Sequence, residues 1–146
     1  KIYLTNIQKV AKCKVDLYIE KKLKGKFYLL KGVELPIGAT LLYDNVSFSN
    51  AANEYGLYIK LTDGDNFVLT GSINVTGTNT NVPGTNTLYT SELSVGDEIL
   101  VTGETRTVSS ITGDTTAVVS AAWGSDLANY TSPECYPTAL VDVVIN

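Results

Sequence analysis

The chain has 146 residues, 44% of them hydrophobic and 18% charged, which suits one ordinary domain or two very small ones and excludes a disordered chain. It contains no histidine, so the commonest general base and the commonest metal ligand are both missing. The net charge of −4 divides unevenly: residues 1–60 hold ten lysines and five acids (+5), and residues 61–146 hold Arg106 and ten acids (−9). Such a split suits charge-complementary packing between copies or partners, or two solvated faces of unlike bias.

Residues 1–7 open the chain as a strand. Residues 13–20 (CKVDLYIE) alternate, with Val15, Leu17 and Ile19 on one face and Lys14, Asp16 and Tyr18 on the other. A charged turn at 21–25 and a partner strand at 26–32 (KFYLLKG) complete a hairpin. Pro36 and Gly38 reset the chain direction before a strand expected over 41–48. After a polar loop, residues 55–62 (YGLYIKLT) form a further strand, and Asp63-Gly64-Asp65-Asn66 reads as a tight hairpin turn.

From Phe67 the composition changes: lysine ends at Lys60, and Thr, Gly, Ser and Asn take over. Residues 71–87 look like linker with one short strand around Ile73 and Val75. Three strands follow at 98–102, 106–112 and 116–121, separated by Gly103-Glu104 and Gly113-Asp114, which is a meander. Residues 122–133 read as loop, with Trp123 tucked against the meander and at most one helical turn at 125–130. Residues 138–146 (TALVDVVIN) make a last strand.

That strand suits the first β unit better than the second. The expected organisation is a discontinuous sandwich, 1–69 plus 133–146, carrying an inserted Thr/Gly-rich module at 70–132; two sequential domains are the alternative. The expected fold class is all-β, a small antiparallel β-sandwich with an inserted β-meander or SH3-like small barrel.

Few residues offer chemistry. Asp63-Gly64-Asp65-Asn66 resembles part of a calcium loop but lacks the further oxygen ligands and the downstream Glu. Asp97 and Glu98 stand side by side at a strand entrance, where turn formation explains them without catalysis. Cys13 and Cys135 make neither a disulfide framework nor a metal site, and two reduced thiols are expected over a bridge. No catalytic, cofactor-binding or metal-binding residue is assigned, and the chain is expected not to be an enzyme. Asn45, Asn74 and Asn129 head glycosylation triplets that matter only in a secretory setting.

Lys21, Lys22, Lys24 and Lys26 cluster at the first hairpin tip beside Phe27 and Tyr28. In a chain with a pI near 4.7 and no larger basic run, this cluster reads first as a solvated hairpin tip; as a contact surface it suits an acidic protein neighbour rather than nucleic acid. No stretch has the length and apolarity of a membrane span.

The segment GTNTLYTSELSVGDEILVTGETRTVSSITGDTTAVV is similar to short β modules of structural and tail-fibre proteins of tailed bacteriophages. IYLTNIQKVAKCKVDLYI and FYLLKGVELPIGATLLYD likewise resemble small virion sandwich proteins, in the order strand, variable tip, strand, Pro-x-Gly turn, strand. The resemblance implies a non-enzymatic part of a virion, assembled in the host cytoplasm, that decorates or reinforces the capsid or tail surface. Its implied partners are other virion proteins, such as the major capsid or tail protein, and copies of itself. The expectation from a different class is a carbohydrate-binding or adhesion module with Trp123 in contact with the sugar.

Overall fold

A computed structural model describes residues 1–44 and 52–146. The expected strand beyond Asp44, the first half of the loop after it and Asn45 therefore lie outside the described residues. The chain is all-β and antiparallel, and it divides into two compact units: Lys1–Ile7, Ala11–Asp63 and Ala139–Asn146 form the first, Gln8–Val10 and Gly64–Thr138 the second.

The first unit is a small sandwich. One sheet has the order β14 (Val141–Ile145), β1 (Ile2–Asn6), β4 (Thr40–Tyr43); the other is β3 (Gly25–Leu35), β2 (Cys13–Lys21), β5 (Tyr55–Thr62). Period-two alternation sends Ile2 and Leu4 from β1 and Cys13, Val15 and Leu17 from β2 into one core with Leu35. β3 runs three residues past its expected end, to Leu35, which pairs with Cys13 and closes the core there. Asn6 is buried in this unit, and its amide donates to the carbonyls of Ala11 and Leu35, both at 3.0 Å.

The second unit holds a single eight-stranded sheet. Its order is β12 (Leu127–Tyr130), β7 (Ser72–Val75), β8 (Asn81–Thr85), β11 (Thr116–Val119), β10 (Glu104–Gly113), β9 (Glu98–Val101), β13 (Glu134–Tyr136), β6 (Phe67–Val68). The expected meander, β9-β10-β11, is the centre of this sheet. Its buried face collects Ile73, Val75, Val82, Ile99, Val101, Val108, Val119 and Trp123 into one core.

One helical turn, α1 (Tyr89–Glu92), stands where none was expected, and the turn expected at 125–130 is instead strand β12. α1 is held from outside rather than by propensity. The Asp114 carboxylate accepts from the Thr90 amide at 3.1 Å and from the Thr90 hydroxyl, and the Glu92 carboxylate accepts from the Thr70 amide and hydroxyl at 3.0 and 2.6 Å. The two Thr90 bonds, the hydroxyl's first, hold the Asp114 carboxyl below its usual value.

Two sequence expectations need correction. The sandwich boundaries 1–69 plus 133–146, with the insert at 70–132, move inward, because β6 pairs with β13 and β13 pairs with β9 in the second unit's sheet. Asp63-Gly64-Asp65-Asn66 is not a hairpin turn. β5 pairs with β2 and β6 with β13, so this segment is a crossing from one unit to the other, and Asp63 accepts from the Ala139 amide at 2.7 Å. Among the described residues no helix is long and apolar enough to cross a membrane.

Candidate functional site: a lysine–tyrosine face on the first unit

The outward face of the β3-β2-β5 sheet carries stacked tyrosines and lysines held over them. Tyr18 on the central strand pairs in register with Tyr28 on β3 and Tyr58 on β5. Side chains directly across neighbouring strands share a face, so the three rings form a ladder. Tyr18 and Tyr58 stack at 5.4 Å with a 14° interplanar angle, and Tyr18 and Tyr28 are tilted at 5.5 Å. Covered on both sides, Tyr18 is only 9% exposed, while Tyr28 and Tyr58 stay open to solvent.

Lysines lie over these rings. The Lys26 ammonium is 4.9 Å from the centre of Tyr18, Lys31 is 4.8 Å from Tyr28 and Lys21 is 5.0 Å from Tyr55. Each is a cation–π contact that restrains a long side chain. Lys21 also donates to the Tyr55 hydroxyl at 3.2 Å and pairs with Glu54 at 3.3 Å; these bonds, the tyrosine's first, raise its pKa above the usual lysine value.

The hairpin tip continues the surface. Leu23 sits between Lys22 and Lys24, is 98% exposed and has φ 63°. A leucine in left-handed backbone costs about 1 kcal/mol, and here it also leaves an apolar side chain in water. The turn is fixed by the Lys24 amide donating to the Lys21 carbonyl at 3.0 Å and the Lys22 amide to the Glu54 carbonyl at 3.1 Å. An open groove of about 550 Å³ runs beside it, lined by Glu20, Lys21, Lys22, Glu54, Tyr55 and Tyr58.

The four expected lysines thus come together, in two roles: Lys21 and Lys26 are held on rings, and Lys22 and Lys24 are exposed at the tip. Leu23, Lys31 and the register that lines up Tyr28, Tyr18 and Tyr58 are what sequence reasoning missed. The signal was available in part, because a turn that pairs Lys21 with Gly25 places Tyr18 opposite Tyr28.

Trp123 lies elsewhere, in the core of the second unit. It is 4% exposed, with the Arg106 guanidinium 5.3 Å from its ring centre. Arg106 is fixed there by Glu104 at 2.7 Å and by the Ala122 carbonyl at 2.8 Å. The ring offers no open face to a sugar.

Asp97 and Glu98 do not form a carboxylate pair: Asp97, just before β9, is buried, and Glu98, its first residue, is exposed. Cys13 and Cys135 are both free and buried, one in each unit. Among the described residues no group of His, Cys, Asp or Glu is placed to hold a metal ion.

By the observed boundaries, the first unit carries nine lysines against seven acids (+2). The second carries Lys9 and Arg106 against eight acids (−6). The first unit's charge bias is therefore smaller than the halves of the sequence suggest, and its lysines matter through their concentration on one hairpin. No protein-family model, curated protein or solved structure matches the chain significantly.

Proposed function

We propose that the chain is a non-enzymatic structural component of a tailed-bacteriophage particle. It decorates or reinforces the capsid or tail surface, and it attaches through the lysine–tyrosine face of its first unit. The observation that carries the attachment is Leu23, almost wholly exposed between Lys22 and Lys24 at the tip of the hairpin that carries Tyr18 and Tyr28. An apolar side chain ringed by ammonium groups fits a partner surface with an apolar pocket and an acidic rim. The tyrosines supply large contact area with few rotatable bonds to freeze. The sequence resemblance to virion modules supplies the setting. Repeated copies on a particle would turn a modest contact into stable attachment.

Mass spectrometry of purified particles tests the setting: the protein should be present, in hundreds of copies for a capsid or tail surface. The attachment is tested by Leu23→Asp and by the joint change of Lys21, Lys22, Lys24 and Lys26 to Glu. Each should strip the protein from particles while leaving it folded. Full occupancy of either variant would rule out this face as the docking surface.

A further inference from the structure

Among the described residues, the first unit's β14 has a partner strand on one side only. The Asn146 amide donates to the Lys1 carbonyl at 2.9 Å, and the Ile7 amide to the Leu140 carbonyl at 2.9 Å. In an antiparallel ladder, bonded and non-bonded pairs alternate. Val144 and Asp142 therefore turn their backbone groups toward β1, whereas Val141, Val143 and Ile145 turn theirs away. Among the described residues no strand pairs with that outer edge.

The same residues carry the core-facing side chains. Val143 lies opposite Leu4 and Ile145 opposite Ile2, and directly opposed residues share a face. Leu4 and Ile2 are sealed in the core, yet Val143 is 42% and Ile145 63% exposed. The sandwich is thus open along β14, where backbone donors and acceptors and apolar side chains are presented together. The edge is lightly protected: β14 has no lysine, no proline and no bulge, and its one charge, Asp142, is on the face away from the core-facing valines.

We propose that this edge pairs with β14 of a second copy, antiparallel and centred on Val143. The choice of a second copy rests on register. With Val143 opposite Val143 of the partner, Val141 falls opposite Ile145 and Ile145 opposite Val141. All three residues with outward backbone groups then form bonded pairs with one another, and their core-side chains meet across a two-fold axis. On the other face Asp142 meets Val144, so no like charges stand directly opposite. The two β14-β1-β4 sheets become one six-stranded sheet. A seam of two five-residue strands falls short of the roughly 1,000 Å² of a firm interface, so the dimer is weak and grows with concentration. This interface is independent of the lysine–tyrosine face and of the virion reading.

Sedimentation of the full chain over a concentration series should show monomer giving way to dimer, with no larger species. Val143→Lys, which sets two ammonium groups opposite each other, should weaken dimerisation by about tenfold or more. Cysteine cross-linking reads the register even if that variant folds poorly. Residues in a bonded antiparallel pair are about 5.5 Å apart at Cα, within reach of a disulfide. Val143→Cys should form a covalent dimer on mild oxidation, and Val144→Cys, offset diagonally from its counterpart, should not. A wild-type monomer at every concentration overturns the proposal and leaves the edge to a strand from a different protein. Equal cross-linking at 143 and 144 overturns the register.

Discussion

Gln8 and Asp97, 89 positions apart, meet in the interior of the second unit, where the Gln8 side-chain amide donates to the Asp97 carboxylate at 3.1 Å. Gln8 also donates to the Thr138 carbonyl at 2.9 Å, and Asp97 accepts from the Ser94 amide at 2.8 Å and the Thr138 amide at 3.0 Å. One buried carboxylate therefore ties together three chain segments: the short passage Gln8–Val10, the turn before β9 and the stretch before the final crossing. Removing it by Asp97→Ala leaves buried donors without an acceptor. The expected cost is about 3 kcal/mol in urea unfolding followed by tryptophan fluorescence. A loss below about 1 kcal/mol would show that the segments are held by packing alone.

The same residue sets a pH dependence of unusual sign. Burial raises the Asp97 pKa above 3.8, and the amides of Ser94, Thr138 and Gln8 oppose that shift without cancelling it. The folded state thus holds the proton more tightly than the unfolded chain. This contribution to stability is largest at low pH, and it declines as pH rises from 3.8 through the folded pKa. Most carboxylates act in the opposite direction, so the test is a difference. Wild type minus Asp97→Asn, measured across that window, should slope downward with rising pH. A flat or rising difference would mean that the hydrogen bonds outweigh burial.

Two glycines separate backbone conformation from crowding. Gly71 has φ 82°, and a Cβ there would run into the Thr85 carbonyl oxygen and the backbone of Asn86. Gly96 has φ 96°, with open space around the same position. Alanine at 96 meets only the left-handed penalty, about 1 kcal/mol, whereas alanine at 71 must also push β8 away, for about 3 kcal/mol. Parallel denaturation of the two variants measures the gap. Equal losses would place no steric demand on Gly71.

The tyrosine ladder has its own energetic signature. Tyr18 is central and covered, so Tyr18→Ala removes two ring contacts and should cost about 2–3 kcal/mol. Tyr28→Ala, at the exposed end, should cost under about 1 kcal/mol. A double-mutant cycle between positions 18 and 58 should return about 0.5–1.5 kcal/mol of coupling. Coupling near zero would mean that the rings share a face without supporting each other.

How much of this was legible in the sequence follows from what fixes each element. β2 is readable because Val15 and Leu17 alternate cleanly with Lys14 and Asp16, and β9-β10-β11 because two short turns punctuate β-branched runs. β8 was hidden: NVPGT contains a proline, which lacks a ladder donor, and a glycine. It stands because Pro83 has a ladder partner only in Thr116 on β11, the β7 pairing having ended at Gly84. β6, β12 and β13 are two to four residues long, too short for a period, and exist through partners far away in sequence. The lysine cluster was visible as composition. The ladder beneath it needed strand register, and the exposed inner row of β14 needed the knowledge that no strand among the described residues lies beside it.

The cysteines test whether both interiors are closed. The thiolate is the species that reacts, and burial, the leading cause in each case, raises both pKa values; Asp63 adds to it for Cys13, and Asp97 and Glu92 for Cys135. Native protein at pH 8 should therefore react with an iodoacetamide reagent about 100-fold or more slowly than unfolded protein, through transient opening. No bridge between Cys13 and Cys135 should form on mild oxidation, because each thiol is sealed in a different unit. The Cys135 sulfur lies 3.9 Å from the Asp97 carboxylate, in the network that Asp97→Ala dismantles. That variant should speed labelling of Cys135 far more than that of Cys13, which sits in the sandwich core. Peptide mapping of the labelled protein resolves the two sites. Equal acceleration at both would show that Asp97 secures the whole chain rather than the unit in which it is buried.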